Sequence, residues 1–436
     1  MSAIASVLLA MGHRVSGSDA STSPVLDRLR AMGADVHAGH DRGAIAGADV
    51  VVVSTAIPTD DPEVVAARDA GIPVIRRADA LAAIGRQRRT IAISGTHGKT
   101  TTTAMLTVAM QGAGLAPSFI VGADIGGLGR GAGWDAGEWF VVEADESDGT
   151  FVELDAQAVL VTNVEPDHLD HWVSFGALRD AFRMFLERAP GPRVVCADDP
   201  TAAALAASVG GCVTYGTSDA ADVRITDVET DRDGVRFRFD GRSVDLHVPG
   251  VHNARNAAGA LTMCRELGVD VDAAIGALDH YTGVARRFEF RGEAGGVGFI
   301  DSYDHLPTEV ASALATARAG GWRRIVCVFQ PHRFTRTASL WRDFADAFVD
   351  ADLLAVTDIY AAGQAPIPGV RGKLIVDAVL DAHPRADVAW LPDRESLRRW
   401  LQSELRPGDL CLTLGAGDLT TLPSELLVTM TAPQGR

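Results

Sequence analysis

The chain has 436 residues, a formal net charge of −17 and five cysteines. This length exceeds what one hydrophobic core usually supports, so two or three domains are expected. The acidic balance argues against nucleic acids and anionic membranes as partners, because both carry negative charge. No apolar run approaches the length of a membrane span, and scattered cysteines without a C-x-x-C pair are typical of buried thiols in a reducing cytosol. We therefore expect a cytoplasmic protein with neither nucleic-acid nor membrane partners.

Strand and helix patterns alternate along the chain and divide it into three segments, 1–86, 87–293 and 294–436. In the first segment, an apolar helix precedes strands at 13–17 and 48–54 and helices at 24–32 and 64–70. The second contains a β-rich stretch at 213–248, and the third again alternates strands with helices. Alternation at this pitch predicts a parallel sheet with helices on its faces. The sequence therefore predicts an α/β fold in three domains.

A glycine-rich segment follows a predicted buried strand at 89–93 and precedes a predicted helix that starts near Thr100. It consists of Gly95, Thr96, His97, Gly98, Lys99, Thr100 and Thr101. Only two of the 40 basic residues are lysines, and Lys99 is one of them. In a phosphate-binding loop, backbone N–H groups close around phosphate oxygens, the lysine reaches the terminal phosphates, and the next hydroxyl can ligate Mg²⁺. The spacing G-x-x-G-K-T is two residues shorter than the usual form, but its strand–helix context predicts a nucleotide site.

Carboxylates follow the predicted strand at 139–142, in the run Glu143-Ala144-Asp145-Glu146-Ser147-Asp148. Ligands bind at the carboxyl ends of parallel strands, and neighbouring acids repel one another unless they share a cation. The run therefore predicts Mg²⁺ ligation, with a solvated acidic loop as the alternative. Another predicted strand is followed by Asp167 and His168, which could hold a second metal ion suited to phosphoryl transfer or cap a helix.

Seven motifs, which fall in order and cover nearly the whole chain, resemble those of the ATP-dependent Mur ligases. They are Gly95-Thr96-His97-Gly98-Lys99-Thr100, Glu143-Ala144-Asp145-Glu146-Ser147-Asp148, Pro166-Asp167-His168-Leu169-Asp170, His252-Asn253-Ala254-Arg255-Asn256, Gly283-Val284-Ala285-Arg286-Arg287-Phe288, Gln330-Pro331-His332-Arg333-Phe334-Thr335-Arg336-Thr337 and Gly415-Ala416-Gly417-Asp418. The resemblance implies a Rossmann-like UDP-sugar-binding domain at 1–86 and a central P-loop ATPase-like domain at 87–293. It implies a Rossmann-like domain at 294–436 that contacts the amino acid and ATP.

The resemblance also implies a reaction, in which ATP phosphorylates a carboxylate and an amino group then displaces phosphate from the acyl phosphate. Lys99 is implied to hold the β- and γ-phosphates, Thr100 and Glu143 one Mg²⁺, and His168 a second. The other implied contacts are Asn253 and Asn256 with adenine, Arg287 with the γ-phosphate, Asp301 with the ribose, and Arg333 and Arg336 with the acyl phosphate and incoming amino acid. The implied substrates are small molecules, and the chain is expected to be a monomer or a homodimer.

Within the family, the resemblance is strongest to the branch that joins L-alanine to UDP-N-acetylmuramate in peptidoglycan precursor synthesis. Several Mur ligases that add later residues hold a metal with a carbamylated lysine of the central domain. Neither Lys99 nor Lys373, the two lysines of the chain, lies between His168 and Arg287, which favours the alanine-adding branch. The alternatives are a ligase of murein tripeptide recycling, a paralogue that binds nucleotide without ligating, and a nucleotide-dependent switch or transporter ATPase.

Two stretches depart from the family pattern. The family normally opens with a strand and a Gly-rich loop that come before the helix predicted here at the start of the chain, so weak UDP-sugar binding by this chain is expected. In the stretch Asp301-Ser302-Tyr303-Asp304-His305-Leu306-Pro307, Leu306 replaces the second of two adjacent histidines and Asp304 replaces a small residue. A different acceptor amino acid is therefore an alternative expectation.

Overall fold

The computed structural model describes residues 1–431, in which strands alternate with helices. The helices are α1 (Ser2–Ala10), α2 (Pro24–Ala31), α3 (Pro62–Asp69), α4 (Arg77–Gly85), α5 (Lys99–Gly112), α6 (Leu169–Trp172), α7 (Phe175–Arg188), α8 (Pro200–Val209), α9 (Val251–Glu266), α10 (Val271–Leu278), α11 (Pro307–Ala319), α12 (Phe334–Leu340), α13 (Lys373–Ala382), α14 (Arg394–Glu404) and α15 (Leu422–Thr431). The strands are β1 (Ser16–Asp19), β2 (Asp35–Ala38), β3 (Val51–Val53), β4 (Val74–Arg76), β5 (Arg89–Ser94), β6 (Ser118–Ile125), β7 (Arg130–Gly133), β8 (Trp139–Glu143), β9 (Ala158–Val161), β10 (Arg193–Cys196), β11 (Val213–Gly216), β12 (Val223–Thr230), β13 (Val235–Phe239), β14 (Arg242–Leu246), β15 (Glu289–Ala294), β16 (Val297–Ser302), β17 (Arg324–Phe329), β18 (Leu353–Val356), β19 (Val388–Trp390) and β20 (Asp409–Leu414). Within the described residues, no helix has both the length and the apolar character needed to cross a bilayer.

The chain forms two compact units. The first contains Met1–Pro166, Ser174–Arg224 and Ala257–Leu278. The second contains Asp167–Val173, Ile225–Asn256 and residues 279–431. Because α9 and β12 are each divided between the units, neither unit is a single stretch of sequence. The domain boundaries expected after residues 86 and 293 remain predictions.

The main sheet of the first unit positions the predicted nucleotide site. Its strand order is β11-β10-β9-β5-β8-β6-β7, and neighbouring strands are parallel except β6 and β7. β5, β8 and β9 are buried along most of their length, as is usual for parallel strands covered by helices on both faces. Because β5 lies between β8 and β9, the segments that follow these three strands meet at one edge of the sheet.

The residues before β5 form two separate parallel strand pairs, β1 with β2 and β3 with β4. The apolar run at the start of the chain forms α1, and its Ile4 and Val7 are buried. Leu26 and Leu29 of α2 pack with Val36 of β2 in a small hydrophobic cluster. The parallel α/β character predicted for this segment is confirmed.

The main sheet of the second unit has the order β15-β16-β20-β17-β18-β19, in which β15 is antiparallel to β16 and the other pairs are parallel. Alternate residues of β17 enter two different hydrophobic cores: Cys327 and Phe329 enter one, and Val326 and Val328 enter the other. The sheet is therefore covered on both faces. Residues 225–230 of β12 pair antiparallel with β13, and β13 pairs antiparallel with β14, in the stretch predicted to be β-rich.

The cysteines and the second lysine lie in contrasting surroundings. Four of the five cysteines are buried, as predicted. The prediction is wrong for Cys212, which is partly exposed because it follows a surface turn between α8 and β11. Lys373, in the first turn of α13, is exposed, and its Nζ lies 2.5 Å from Asp377 Oδ1.

Candidate active site

The phosphate loop predicted from the sequence follows β5 and leads directly into α5. Gly98 precedes the helix with a φ of 77°, a conformation that glycine adopts without steric cost. Gly95 has a φ of 138°, and a Cβ at this position would lie 2.1 Å from Thr162 Oγ1. The two glycines of the motif are therefore required by backbone conformation and by the close approach of the segment after β9.

The ammonium of Lys99 is buried in the loop that it closes. It donates hydrogen bonds to the carbonyl oxygens of Gly95 (2.6 Å) and Thr96 (3.2 Å) and to Glu146 Oε2 (2.7 Å). The side chain of Lys99 is 11% exposed and that of Glu146 is 1% exposed. Burial alone would lower the pKa of Lys99, but the neighbouring carboxylates, led by Glu146, outweigh it and raise the pKa. Lys99 is therefore a cation at neutral pH, and its side-chain partner is Glu146.

Thr100 and Glu143, the two residues implied to hold a magnesium ion, are adjacent. Thr100 Oγ1 donates to Glu143 Oε1 over 3.2 Å, and the Gly122 N–H donates to Glu143 Oε2 over 2.8 Å. Sequence analysis did not single out Gly122, yet a Cβ there would lie 2.6 Å from Glu143 Oε2. Gly122 thus leaves room for the carboxylate. A hydroxyl and a carboxylate side by side are the hard oxygen ligands that Mg²⁺ prefers, so this pair fits the ion.

Thr96 and His97 use their N–H groups within the protein, since both donate to Asn163. His97 Nε2 lies 3.1 Å from Glu165 Oε2, so its ring faces this carboxylate. Thr96 and Thr101 are buried, with exposed fractions of 8% and 7%. The first N–H groups of α5 have no partner within the helix, and such groups bind phosphates. The predicted contact through the imidazole of His97 stays a prediction, whereas its backbone belongs to the loop.

In the second unit, Asp167 and His168 precede the short helix α6. His168 Nε2 lies 3.2 Å from Asp167 Oδ2, and a carboxylate that faces an imidazole fixes the orientation of the ring, as at many metal sites. Burial alone would raise the pKa of Asp167, but Arg336 and then His168 and His305 outweigh it and lower the pKa. Asp167 is therefore ionised and able to orient its neighbour.

Protein groups use most of the hydrogen-bonding capacity of Arg336. Its Nε and Nη2 donate to the carboxylate of Asp167 over 2.9–3.2 Å, and its Nη1 donates to His332 Nδ1 over 2.9 Å. Arg336 is 9% exposed, so little of its guanidinium remains for a substrate. Arg333 directly precedes α12, with a φ of 68°. Contact of these two arginines with the acyl phosphate stays a prediction.

His305 and His332 form a pair that sequence analysis did not assign to the site. Their ring centroids are 5.5 Å apart. His305 Nδ1 lies 3.0 Å from the carbonyl oxygen of Tyr303 and must donate to it, whereas His332 Nδ1 accepts from Arg336. In the neutral rings, Nε2 of His305 is therefore an acceptor and Nε2 of His332 a donor. Both residues lie in stretches quoted above, but only the structure reveals the pairing.

Acid is expected to destabilise the protein through His305 and His332. Burial lowers the pKa of His305 to about 4 and that of His332 to about 3, from an ordinary value near 6.5. Arg336 lowers both further, while Glu309 and Asp167 oppose the shift at His305. Between pH 6.5 and about 4 the unfolded chain binds protons that the folded chain does not, so stability falls as the pH decreases. We expect these two histidines to contribute a fall in the free energy of unfolding of about 1–2 kcal/mol per pH unit, measured by urea denaturation between pH 7.5 and 5 as the part of the slope that is lost in their Asn variants.

The variant His332→Asn should flatten this pH dependence, because it removes one of the two titrating groups. The matched control is His383→Asn, since His383 lies on the surface beside Asp346 and its removal should change the slope less than removal of the more buried His332. An unchanged slope in both His332→Asn and His305→Asn would contradict the assignment.

Four further residues implied to contact the nucleotide lie in the second unit: Asn253, Asn256, Arg287 and Asp301. Both asparagines are buried, and Asn253 Nδ2 donates to the carbonyl of Pro249 over 2.7 Å. Asp301 is 1% exposed, and its carboxylate accepts from Thr413 and Thr420. Arg287 is more accessible, with a side chain 28% exposed and 3.9 Å from Glu309. Their contacts with adenine, γ-phosphate and ribose stay predictions.

The loop between β5 and α5, with its lysine at the start of the helix, is typical of α/β proteins of the P-loop type. Three family models match the chain: the Mur ligase family catalytic domain over residues 1–89, the Mur ligase middle domain over 93–264, and the Mur ligase glutamate ligase domain over 286–417. The chain belongs to the Mur ligase family, as the motifs predicted.

Relatives and solved structures agree with this assignment. The UDP-N-acetylmuramate–L-alanine ligase of Bradyrhizobium sp. (strain ORS 278) is 45% identical over 446 residues, which cover 98% of this chain and 95% of the relative. The ligase of the same name from Anaeromyxobacter sp. (strain Fw109-5) is 45% identical over 435 residues, which cover 98% and 94%. The crystal structure of UDP-N-acetylmuramate-alanine ligase MurC from Thermotoga maritima has a TM-score of 0.82 at 27% identity, covering 98% of this chain and 96% of that one. A murein peptide ligase from Psychrobacter arcticus, with a TM-score of 0.72 at 21% identity and coverage of 100% and 97%, shares the fold.

Proposed function

We propose that this chain joins L-alanine to UDP-N-acetylmuramate with hydrolysis of ATP to ADP and phosphate, in peptidoglycan precursor synthesis. Relatives named for this ligation are 45% identical over 98% of the chain. One observation supports the proposal most directly. The backbone of the phosphate loop and the buried ammonium of Lys99 lie at the N-terminus of α5, the kind of helix end at which phosphates bind. A murein tripeptide ligase is not favoured, because the relatives that are 45% identical over 98% of the chain are named for the addition of L-alanine.

The chemistry requires a phosphoryl acceptor and a nucleophile. A carboxylate is a poor electrophile, and phosphorylation by ATP converts one of its oxygens into a phosphate leaving group. We propose that Lys99 neutralises the β- and γ-phosphates, which stabilises the charge that develops during transfer. The phosphates would then take the place of Glu146 at the ammonium. The amine of L-alanine subsequently forms the amide bond and releases phosphate.

Two magnesium ions are part of the proposal. Thr100 and Glu143 would hold one, since their hydroxyl and carboxylate oxygens are 3.2 Å apart. His168 would hold the other, oriented by Asp167. When bound, Mg²⁺ neutralises phosphate oxygens and orients them for in-line transfer. Neighbouring groups of the protein hold the metal-ligating side chains of Thr100, Glu143 and His168 in position.

We assign the residues of the second unit to recognition of the substrates. We propose that Arg287 binds the γ-phosphate and that Arg333 and Arg336 lie at the acyl phosphate. Guanidinium donors there would stabilise the negative charge that spreads over the phosphate oxygens. Asn253 and Asn256 are proposed at adenine and Asp301 at the ribose. The acceptor on His305 Nε2 and the donor on His332 Nε2 suit the amino and carboxylate groups of an amino acid.

We further propose a cytoplasmic location and a monomeric or homodimeric state. UDP-N-acetylmuramate and ATP are both highly charged and water-soluble. An enzyme that uses them is therefore expected to work in the aqueous interior of the cell. The acidic net charge of −17 is unfavourable for anionic membrane surfaces.

The decisive experiment is an assay of ADP release with every pairing of substrates. We expect turnover only when ATP, UDP-N-acetylmuramate and an amino acid are all present, with L-alanine preferred over L-serine and glycine. Turnover without the sugar nucleotide would indicate an ATPase. Nucleotide binding without phosphate release in any combination would indicate a paralogue without ligase activity, and preference for a preformed tripeptide would indicate the recycling reaction.

A further inference from the structure

The short phosphate loop is held by the segment that follows β9. The loop has two residues fewer than the usual P-loop, so little of its own chain is available to fix its shape. Its Gly95 approaches the backbone of Asn163 closely enough that a Cβ would lie 3.0 Å from both the N and the O atoms of that residue. The loop and this segment therefore pack backbone to backbone.

One side chain, that of Asn163, engages both backbone polar groups of His97. Its Oδ1 accepts from the His97 N–H over 2.8 Å, and its Nδ2 donates to the His97 carbonyl over 3.1 Å. Thr162 Oγ1 donates to the same carbonyl over 2.5 Å. An amide that pairs with an N–H and a C=O of one residue permits only one orientation of that stretch of backbone.

Thr96 is held by the same segment. Its N–H donates to the carbonyl of Asn163 over 3.1 Å, and its Oγ1 accepts from the Glu165 N–H over 2.8 Å. The imidazole of His97 faces the carboxylate of Glu165. Two consecutive loop residues are thus fixed on one side by residues 162–165, which leaves the N–H groups at the start of α5 for an anion.

We propose that Asn163 is a positioning residue that preorganises the phosphate loop for nucleotide binding. His97 directly precedes Gly98 and Lys99, so its orientation sets the direction of the N–H groups that would meet the phosphates. Without the amide of Asn163, the nucleotide would have to order the loop as it binds, at the expense of affinity. This inference rests on the proposed function only in requiring a nucleotide at this loop.

The test is the affinity of Asn163→Ala for a non-hydrolysable ATP analogue with Mg²⁺, measured by titration calorimetry. We expect binding to weaken about ten- to thirty-fold, the effect of losing one to two hydrogen bonds that fix the site. The KM for ATP should rise by a similar factor, while the KM for UDP-N-acetylmuramate stays unchanged. Hydrogen exchange of the amides at 95–98 should accelerate in the free variant.

The matched control is Asp222→Ala. Asp222 likewise pairs with the backbone and side chain of one residue of the first unit, accepting from Thr214 N–H over 2.8 Å and from its Oγ1 over 2.7 Å. Its removal should lower stability without a change in nucleotide affinity. If Asn163→Ala does not fold, Asn163→Leu carries the test, because it removes both hydrogen bonds and keeps the branched shape of the side chain.

Nucleotide affinity within two-fold of the unmodified chain in either folded Asn163 variant would overturn the inference. An equal loss in Asp222→Ala would overturn it too, because the effect would then be one of general stability. The proposed ligation fails by a different result: an unmodified chain that binds the analogue but turns over no pair of substrates. In that case the affinity comparison still decides the role of Asn163.

Discussion

The variant Lys99→Ala is expected to lose ligation by on the order of a thousand-fold or more, measured as ADP release with saturating substrates. The lysine is the cation of the phosphate loop, and its hydrogen bonds to Gly95, Thr96 and Glu146 hold the ammonium in that loop. Residual activity near that of the unmodified chain would contradict the assignment of the loop.

The same variant is expected to lose stability, since it leaves Glu146 buried without its cation. Removal of one partner of a buried ion pair costs up to about 3 kcal/mol, and burial already raises the pKa of Glu146 to about 7 despite the opposing effect of Lys99. The double variant Lys99→Ala/Glu146→Gln should recover most of the lost stability, measured by urea denaturation, but none of the activity. This pair of measurements separates loss of the phosphate cation from unfolding.

A second large effect is expected from Asp167→Asn. The change removes the charge that faces the buried guanidinium of Arg336 and the group that orients His168. We expect ligation to fall by about a hundred-fold, because a displaced catalytic group costs that much, and the free energy of unfolding to fall by about 3 kcal/mol.

The control for this variant is Asp180→Asn. Asp180 pairs with Arg183 on the surface, at 3.1 Å, with both side chains exposed. Exposed pairs of this kind contribute only about 0.2–1 kcal/mol, and no change in ligation is expected. If Asp167→Asn and Asp180→Asn had equal effects on stability, the burial argument for Asp167 would be wrong.

The local parts of the site were predictable because they depend on residues that are close in sequence. The strand at 89–93 and the helix after Thr100 are present as β5 and α5, since a buried apolar run, two glycines and a lysine together determine a strand–turn–helix unit. Glu143 also lies at the end of a strand, as predicted. The order of motifs predicted the family, which the family models confirm.

The partners of these residues were not predictable, because they depend on strand order. Lys99 meets Glu146, 47 positions away, only because β8 is the neighbour of β5. Arg336 and Asp167 are 169 positions apart, and no local pattern indicates such a pairing. The structure also explains the departure from the family pattern at Leu306. This residue is 3% exposed, so its position favours an apolar side chain. Its N–H donates to Glu309 at the start of α11.

The contrast between the two lysines has a practical consequence. Lys99 is enclosed by carboxylates and carbonyl oxygens, whereas Lys373 is half exposed on the first turn of α13. Reagents that acylate lysine side chains should therefore modify Lys373 but spare Lys99 while the fold is intact. The chain thus provides nearly single-site attachment of a fluorophore or a solid support without engineering, and the appearance of acylated Lys99 in a mass spectrum would report opening of the phosphate loop.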